Sequence, residues 1–165
     1  MSNDQFSGKV VNQRVVKVDS LALACGKPSY VEDIYFKELV YVKMLRSPYA
    51  HAIIKKIDIS KAKELPGVLD ILTYENTPQI PITTAGQGYP EPSPYDTMIF
   101  NKKVKFVGER VAAVAAINEI IAKKACDLIE VEYEVLEPIL DHRKALDNKI
   151  IIHDEEWASI PIPVH

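Results

Sequence analysis

Cysteine is scarce in this sequence, and the two that are present, Cys25 and Cys126, lie far apart. They have neither the spacing of metal ligands nor the density of a secreted disulfide scaffold. Long apolar runs are also missing, because Met1 to Gly8 is polar and no later stretch approaches the length needed to span a bilayer. We therefore expect reduced thiols, no metal site in this chain, and a soluble cytoplasmic protein with no membrane partner.

The chain also lacks a large excess of positive or negative charge. The formal net charge is −3, and Lys, Glu and Asp are mixed along the chain without a basic stripe that could hold a phosphate backbone. Nucleic acid is therefore not an expected partner. The composition that remains, 47% hydrophobic and 26% charged in 165 residues, is typical of one globular domain that folds alone around a single core.

Three motifs resemble active sites, and each has a simpler explanation. Residues 86–88, Gly-Gln-Gly, have two glycines at the spacing of a dinucleotide loop but lack the third glycine, the preceding strand and the following helix. His51 follows Ser47, yet no third group completes a catalytic triad, so a structural hydrogen bond is favoured. The alternating glutamates of 130–134 could bind a cation, but a solvated strand face is favoured. The residues alone indicate an α+β domain without a catalytic or cofactor site.

Apolar and β-branched runs predict the strands. We expect a strand over residues 39–45 that is buried, further strands over 52–57 and 68–73, and a weakly alternating strand over 9–18. A short helix is predicted from Asp58 or Ser60 to Leu65, where a Pro-Gly pair ends it. Prolines and glycines crowd residues 77–96, so this stretch is expected to be a long loop, which is either functional or disordered in compact domains.

A strand-helix-strand unit follows the loop. The unbroken small apolar run of 110–117 suits an interior strand that is covered on both faces. Asn118 is expected to cap a helix that ends at Leu128, and residues 129–135 alternate at period two. Because a helical crossover joins parallel strands, we expect 129–135 to lie beside 110–117 in one mixed sheet, with the helix covering both.

Four segments carry a family resemblance. They are GKPSYVEDI at 26–34, LRSPYAHA at 45–52, IDISKA at 57–62 with LPGV at 65–68, and KVKFVGE at 103–109 running into VAAV at 111–114 and VEYE at 131–134. In this order they resemble the N-terminal α/β hammerhead domain of the molybdopterin-binding large subunit in the xanthine dehydrogenase and aldehyde oxidase family. The similarity covers about residues 8–154. Arg110 departs from the proline of many relatives, and Pro138 is displaced by one position.

The resemblance implies an α+β fold, the α/β hammerhead, with a mixed sheet and two helices over residues 9–154. A flexible N-terminus at 1–8 precedes it, and a linker at 155–165 leads toward an absent molybdenum-binding domain. In the intact oxidoreductase the resemblance implies a molybdenum-pterin cofactor, with 2Fe-2S clusters and FAD on partner chains or domains, and hydroxylation of a purine, another N-heterocycle or an aldehyde. The family's catalytic and pterin-contacting residues would follow His165, so this chain alone is expected to be inactive.

One loop of the family's hammerhead domain approaches the substrate funnel, and by position it corresponds to residues 84–96. Tyr89 and Tyr95 could offer ring faces to a planar substrate, and Gln87 could offer amide hydrogen bonds. An ordinary surface loop explains the stretch equally well. Two functions stay open: a hydroxylase domain whose partners are the molybdenum-binding domain and the iron-sulfur and FAD subunits, or a self-sufficient, non-catalytic assembly or interaction module. The substrate is not readable from these residues.

Overall fold

The computed structural model describes residues 14–27, 30–31, 34–84, 95–145 and 149–154. The chain divides into two compact units, Met1–Leu39 and Val40–His165. The first unit contains helix α1, Ser20–Ala24, which ends where Gly26 takes a φ of +64°. The strand predicted over 9–18 is wrong for residues 14–18, which form no strand, and residues 9–13 lie outside the described part. Val16 and Val18 are exposed, and β propensity without a pairing partner does not make a strand.

The second unit contains the remaining strands and helices. In chain order they are β1 (Tyr41–Arg46), β2 (Ala52–Asp58), α2 (Ser60–Lys63), β3 (Val68–Thr73), β4 (Lys103–Val104), β5 (Arg110–Ala116), α3 (Glu119–Leu128) and β6 (Glu130–Val135), followed by a 3-10 helix at His142–Lys144. Most predicted elements are confirmed within a residue or two. Strand β4 is short and ends at Val104, after which the chain turns into β5, with Gly108 at a φ of +88°.

The six strands form two antiparallel sheets. Sheet I has the order β1-β5-β3, and sheet II has the order β4-β2-β6. The expectation that the run 110–117 is an interior strand is confirmed, since β5 is paired on both edges and its residues are mostly buried. The expectation that residues 129–135 lie beside it is wrong. Both edges of β5 are already occupied, so the chain that leaves α3 pairs with β2 in the other sheet.

Helix α3 connects the two sheets. The Asn118 side chain accepts a hydrogen bond from Ile121 N at 2.8 Å, so the predicted cap is confirmed. The helix contacts all three strands of sheet I and buries Ala122, Ala125 and Cys126. At the shorter helix α2, Asp58 Oδ1 accepts from Ser60 N at 3.0 Å. The start of α3 is thus set by the side-chain oxygen that the sequence had indicated, whereas the N-cap of α2 is Ile59 and Asp58 bonds to the backbone beside it.

One hydrophobic core lies between these elements. It combines residues of both sheets with residues of both helices: Ala52, Ile54, Ile57, Ala62, Ile71, Val104, Val111, Ala112, Val114, Ala125, Cys126 and Ile129. Sheet I therefore buries one face. A bulge at the register shift between Leu45 and Arg46 turns both Val111 and Ala112 toward this core.

The opposite face of sheet I, which we call the outer face, is open and largely apolar, with the exposed carboxylate of Asp70 opposite Ala115. The register places Val42 and Met44 of β1 and Leu72 of β3 around two alanines of β5, Ala113 and Ala115. Val42 is 59% exposed, Met44 38% and Leu72 39%. The prediction of a buried strand over 39–45 is therefore wrong for the unit as it stands, because β1 is an edge strand with one face exposed to solvent.

Candidate functional site

The predicted loop begins and ends at one cavity. An isolated bridge pairs Ile82 with Thr97, and Ile82 N donates to Thr97 O at 2.8 Å, so residues 84 and 96 leave the fold side by side. Beside them lies a cavity of about 230 Å³. Its lining consists of Thr84, Asp96, Thr97, Lys105, Phe106, Glu109, Arg110 and His153. The β4–β5 turn thus forms one wall, and the two ends of the loop together with the segment at 149–154 form the others.

A buried polar network fixes the turn that forms the first wall. The Glu109 carboxylate is 4% exposed and accepts from Asn101 Nδ2 at 2.7 Å and from Lys105 N at 2.5 Å. Asn101 also donates to Thr97 Oγ1 at 2.8 Å and accepts from Met98 N at 3.1 Å. Satisfied buried networks of this kind hold one geometry, so the wall is preorganised.

The charged side chains around the cavity are of both signs. The Arg110 guanidinium donates one long hydrogen bond, from Nη2 to Met98 O at 3.4 Å, and no carboxylate among the described residues forms an ion pair with it. On the other side, His153 Nδ1 lies 3.9 Å from Asp96 Oδ2. Lys105 Nζ donates to the Asp96 carbonyl oxygen at 3.0 Å. The cavity therefore presents a donor group and an acceptor group on separate walls.

The residues predicted for the substrate funnel are only partly within the described chain. Tyr95 is 52% exposed and directly precedes the cavity-lining Asp96. Gln87 and Tyr89 lie outside the described residues. The cavity residues Arg110 and Phe106 were missed as site residues, since a single sequence shows an arginine beginning a strand and an aromatic residue in a turn, and neither pattern indicates a cavity.

The simpler explanation of His51 is confirmed. Its ring is buried, its Nδ1 lies 2.8 Å from Glu137 O, and its carbonyl accepts from Leu136 N at 2.9 Å. A carbonyl oxygen can only accept, so Nδ1 donates this hydrogen bond, and the buried Nε2 has no partner among the described residues. The Ser47 hydroxyl bonds to the backbone of Tyr49 and not to the imidazole. The hydrogen bonds of His51 with Glu137 and Leu136 link the chain just before β2 to the segment after β6.

The alternating glutamates of β6 form a solvated face, as expected. Glu130 pairs with Lys61 at 2.5 Å, Glu134 pairs with Lys55, and all three glutamates are exposed. The hydrogen bond from Lys61 to Glu130 raises the pKa of the lysine. Across the described ranges, no group of three or more His, Cys, Asp or Glu side chains could hold a metal ion. In the same ranges, no helix has the length and apolar character of a bilayer-spanning segment.

Two antiparallel sheets around one core, with a cavity beside the β4–β5 turn, define an α+β domain. Residues 25–137 match the family model described as aldehyde oxidase and xanthine dehydrogenase, a/b hammerhead domain. The chain belongs to this family, and the hammerhead assignment made from the sequence is confirmed.

Relatives of known name support the assignment. Over 148 residues the chain is 47% identical to the "Probable hypoxanthine oxidase" of Escherichia coli O157:H7, a match that covers 89% of this chain and 16% of that protein. It is 35% identical over 135 residues to the xanthine dehydrogenase molybdenum-binding subunit of the same organism, covering 79% of this chain and 18% of that one. The chain thus spans less than a fifth of the length of these relatives.

Solved structures agree with the fold. The quinoline 2-oxidoreductase of Pseudomonas putida 86 superposes with a TM-score of 0.69 at 33% identity, over 81% of this chain and 17% of that one. The carbon monoxide dehydrogenase of Oligotropha carboxidovorans gives a TM-score of 0.67 at 35% identity, over 81% of this chain and 16% of that one.

Proposed function

We propose that this chain is the hammerhead domain of a molybdenum hydroxylase that oxidises an N-heterocycle of the hypoxanthine type. The observation that carries the substrate class is the 47% identity to the probable hypoxanthine oxidase, against 34–36% to relatives named for xanthine, carbon monoxide, nicotine and aldehyde. In this proposal the chain stabilises the subunit, forms an interface with the molybdenum-binding domain, and forms one wall of the substrate funnel. It carries out no redox step.

The chain's own ligand set supports the absence of a redox step. Iron-sulfur clusters are held by about four thiolates, and the sequence has two cysteines. Cys25 is exposed in the first unit, whereas Cys126 is buried in the second, where desolvation raises the pKa of its thiol and disfavours the thiolate that a metal needs. When bound in the intact enzyme, the molybdenum-pterin cofactor supplies the hydroxylation chemistry, and iron-sulfur and FAD partners accept the electrons.

The outer face of sheet I is proposed as the surface that meets the molybdenum-binding domain. Val42, Met44 and Leu72 stand open around two alanines, and a full burial of such side chains is worth about 1.5–3 kcal/mol each. Scaled by the fraction still exposed, covering the three would contribute about 3 kcal/mol. That is appreciable for an interface between domains of one subunit, which is held by many contacts.

A domain exchange tests the proposal. The matching segment of the Escherichia coli relative is replaced by this chain, and hypoxanthine oxidation and bound molybdenum are measured. We expect the chimera to keep both. A chimera that is soluble and loaded with molybdenum but does not oxidise hypoxanthine contradicts the proposed function. The isolated chain should contain no stoichiometric molybdenum, iron or flavin, which elemental and absorption analysis would check.

The interface has a matched pair of variants. Val42→Asp places a carboxylate on the outer face, and Val135→Asp does the same at an equally exposed valine at the end of β6 in sheet II. In the chimera, Val42→Asp should lower molybdenum loading and activity together, and Val135→Asp should not. Equal effects of the two substitutions would remove sheet I from the interface.

A further inference from the structure

We infer that the cavity beside Arg110 is a binding site for a planar heterocycle in which a ring carbonyl adjoins a ring N–H. The inference rests on the proposed function for its substrate class, and it assigns to this domain a direct part in substrate recognition. It is carried by the volume of the cavity, by the donors of Arg110 that no described residue uses, and by the acceptor Asp96 in the same lining.

The size of the cavity limits the ligand. Drug-sized molecules occupy cavities of about 300–1,000 Å³, so a volume of about 230 Å³ suits a molecule of one or two small rings. Phe106 lines the cavity and is 58% exposed, so its ring face is open to a stacking partner. A large aromatic residue left this open in a turn is suited to covering a flat ligand.

Arg110 supplies the donors. A guanidinium has five N–H groups in a planar fork, and the one protein bond that this group makes in the described structure is the long contact to Met98 O. The adjacent Glu109 forms no ion pair with it in the described structure, and the two carboxylate oxygens accept from Asn101 and from the Lys105 backbone. Donors are therefore directed toward a carbonyl or ring-nitrogen acceptor of a ligand.

Asp96 supplies the acceptor. Its carboxylate lies 3.9 Å from His153 Nδ1, which is longer than a hydrogen bond, so its oxygens remain able to accept an N–H from a ligand. A ligand with a carbonyl and an N–H in one plane would accept a hydrogen bond from Arg110 and donate one to Asp96 at the same time. A simple anion would be attracted to Arg110 but repelled by Asp96, and a hydrocarbon ring would use neither.

Titration of this chain with hypoxanthine, followed by amide chemical shifts in NMR, tests the site. Unsubstituted purine serves as the matched probe, because it lacks the 6-carbonyl and the adjacent N–H. We expect saturable shifts at the cavity residues with hypoxanthine and about tenfold weaker binding of purine. Absence of saturable shifts at millimolar hypoxanthine, or shifts centred on another surface, would overturn the inference.

Substitutions locate the recognition in particular side chains. Arg110→Met should weaken hypoxanthine binding about tenfold and reduce the preference over purine, whereas Arg143→Met, at an exposed arginine outside the cavity, should change neither. Phe106→Ala should weaken both probes about fivefold, and Phe36→Ala, which removes a similarly exposed ring in the first unit, should not. If Arg110→Met does not fold, Arg110→Lys, which keeps the charge but not the planar fork, replaces it and is expected to lose most of the preference.

The two proposals can fail separately. Binding by the isolated chain with an inactive chimera would keep the cavity site and remove the proposed function. An active chimera whose kinetics are unchanged by Arg110→Met, together with no binding to the isolated chain, would keep the function and remove the site.

Discussion

The buried carboxylate of Glu109 can be tested by a single atom change. Glu109→Gln keeps the size of the side chain but replaces one acceptor oxygen with an NH₂ donor. The wild-type carboxylate receives two N–H groups, from Asn101 and from Lys105, and each bond to a charged acceptor is worth about 1.5–3 kcal/mol. The glutamine can satisfy only one of them and must turn a donor toward the other.

The expected loss is therefore about 2–3 kcal/mol of the free energy of unfolding. This is a large share of the 5–15 kcal/mol that is typical of a domain. Urea unfolding followed by circular dichroism measures it as a lower midpoint with an unchanged m-value. Hydrogen exchange gives the local readout, because the Lys105 amide loses its acceptor and should exchange faster.

Glu132→Gln is the control, since Glu132 is exposed on β6 and its substitution should stay within about 0.5 kcal/mol of the wild type. The reasoning is refuted if Glu109→Gln falls within the same limit and the protection of the Lys105 amide is unchanged. The network would then be a consequence of the turn and not its cause.

Three further predictions concern the helix starts and the turn before β3. Asn118→Ala removes the oxygen that accepts the Ile121 N–H at 2.8 Å, and we expect a loss of about 1 kcal/mol in the urea titration. Gly67→Ala places a methyl group 2.7 Å from Ile121 Cδ1 at a φ of +93°, and the same titration should show a loss above about 1 kcal/mol. The backbone N–H of Ser60, and to a smaller extent its hydroxyl, donate hydrogen bonds that hold the pKa of Asp58 below its ordinary 3.8. The stability that Asp58 contributes is therefore present above its pKa in the unfolded chain, and it is lost as the pH falls through the lower pKa of Asp58 in the folded chain. Asp58→Asn should flatten the fall in stability below about pH 4 in an acid titration followed by circular dichroism.

Each of these has an outcome that contradicts it. Asn118→Ser keeps a capping oxygen, so equal losses for the serine and alanine variants would exclude the cap. A loss below about 0.5 kcal/mol for Gly67→Ala would contradict the prediction, and Gly108→Ala, which has a similar φ of +88° but no neighbour within 4 Å, measures the share of backbone strain. An acid titration of Asp58→Asn that overlays the wild type would show that the Ser60 hydrogen bonds do not contribute.

Local features of the fold could be predicted from the sequence because local physics determines them. The cap at Asn118, the helix at Ser60 and the alternation of β6 each depend on a few neighbouring residues, and each was found. Sheet membership could not be predicted in the same way. Whether β6 joins β5 depends on which edges are free, and β1 and β3, which are distant in the chain, had taken both.

The run over 39–45 shows why burial was misjudged. A strand that is apolar on both faces has the same sequence pattern whether its second face is covered by its own domain or by a neighbouring domain, so the sequence does not distinguish the two cases. Here the structure leaves that face open at Val42 and Met44. The cavity escaped prediction for a related reason, since Arg110 and Asp96 are fourteen positions apart and meet only because of how the β4–β5 turn is folded.

The bridge between Ile82 and Thr97 has a consequence for how such a domain can diversify. It closes the chain at a fixed point, so the fourteen residues from 83 to 96 form one loop whose closure entropy depends only weakly on its length. Doubling that length would cost only about 0.6 kcal/mol, far less than changing one buried residue of either sheet. Insertions, deletions and substitutions can therefore accumulate beside the cavity without changes to the hydrophobic core. A library randomised between Ile82 and Thr97 would sample new binding surfaces on an unchanged scaffold.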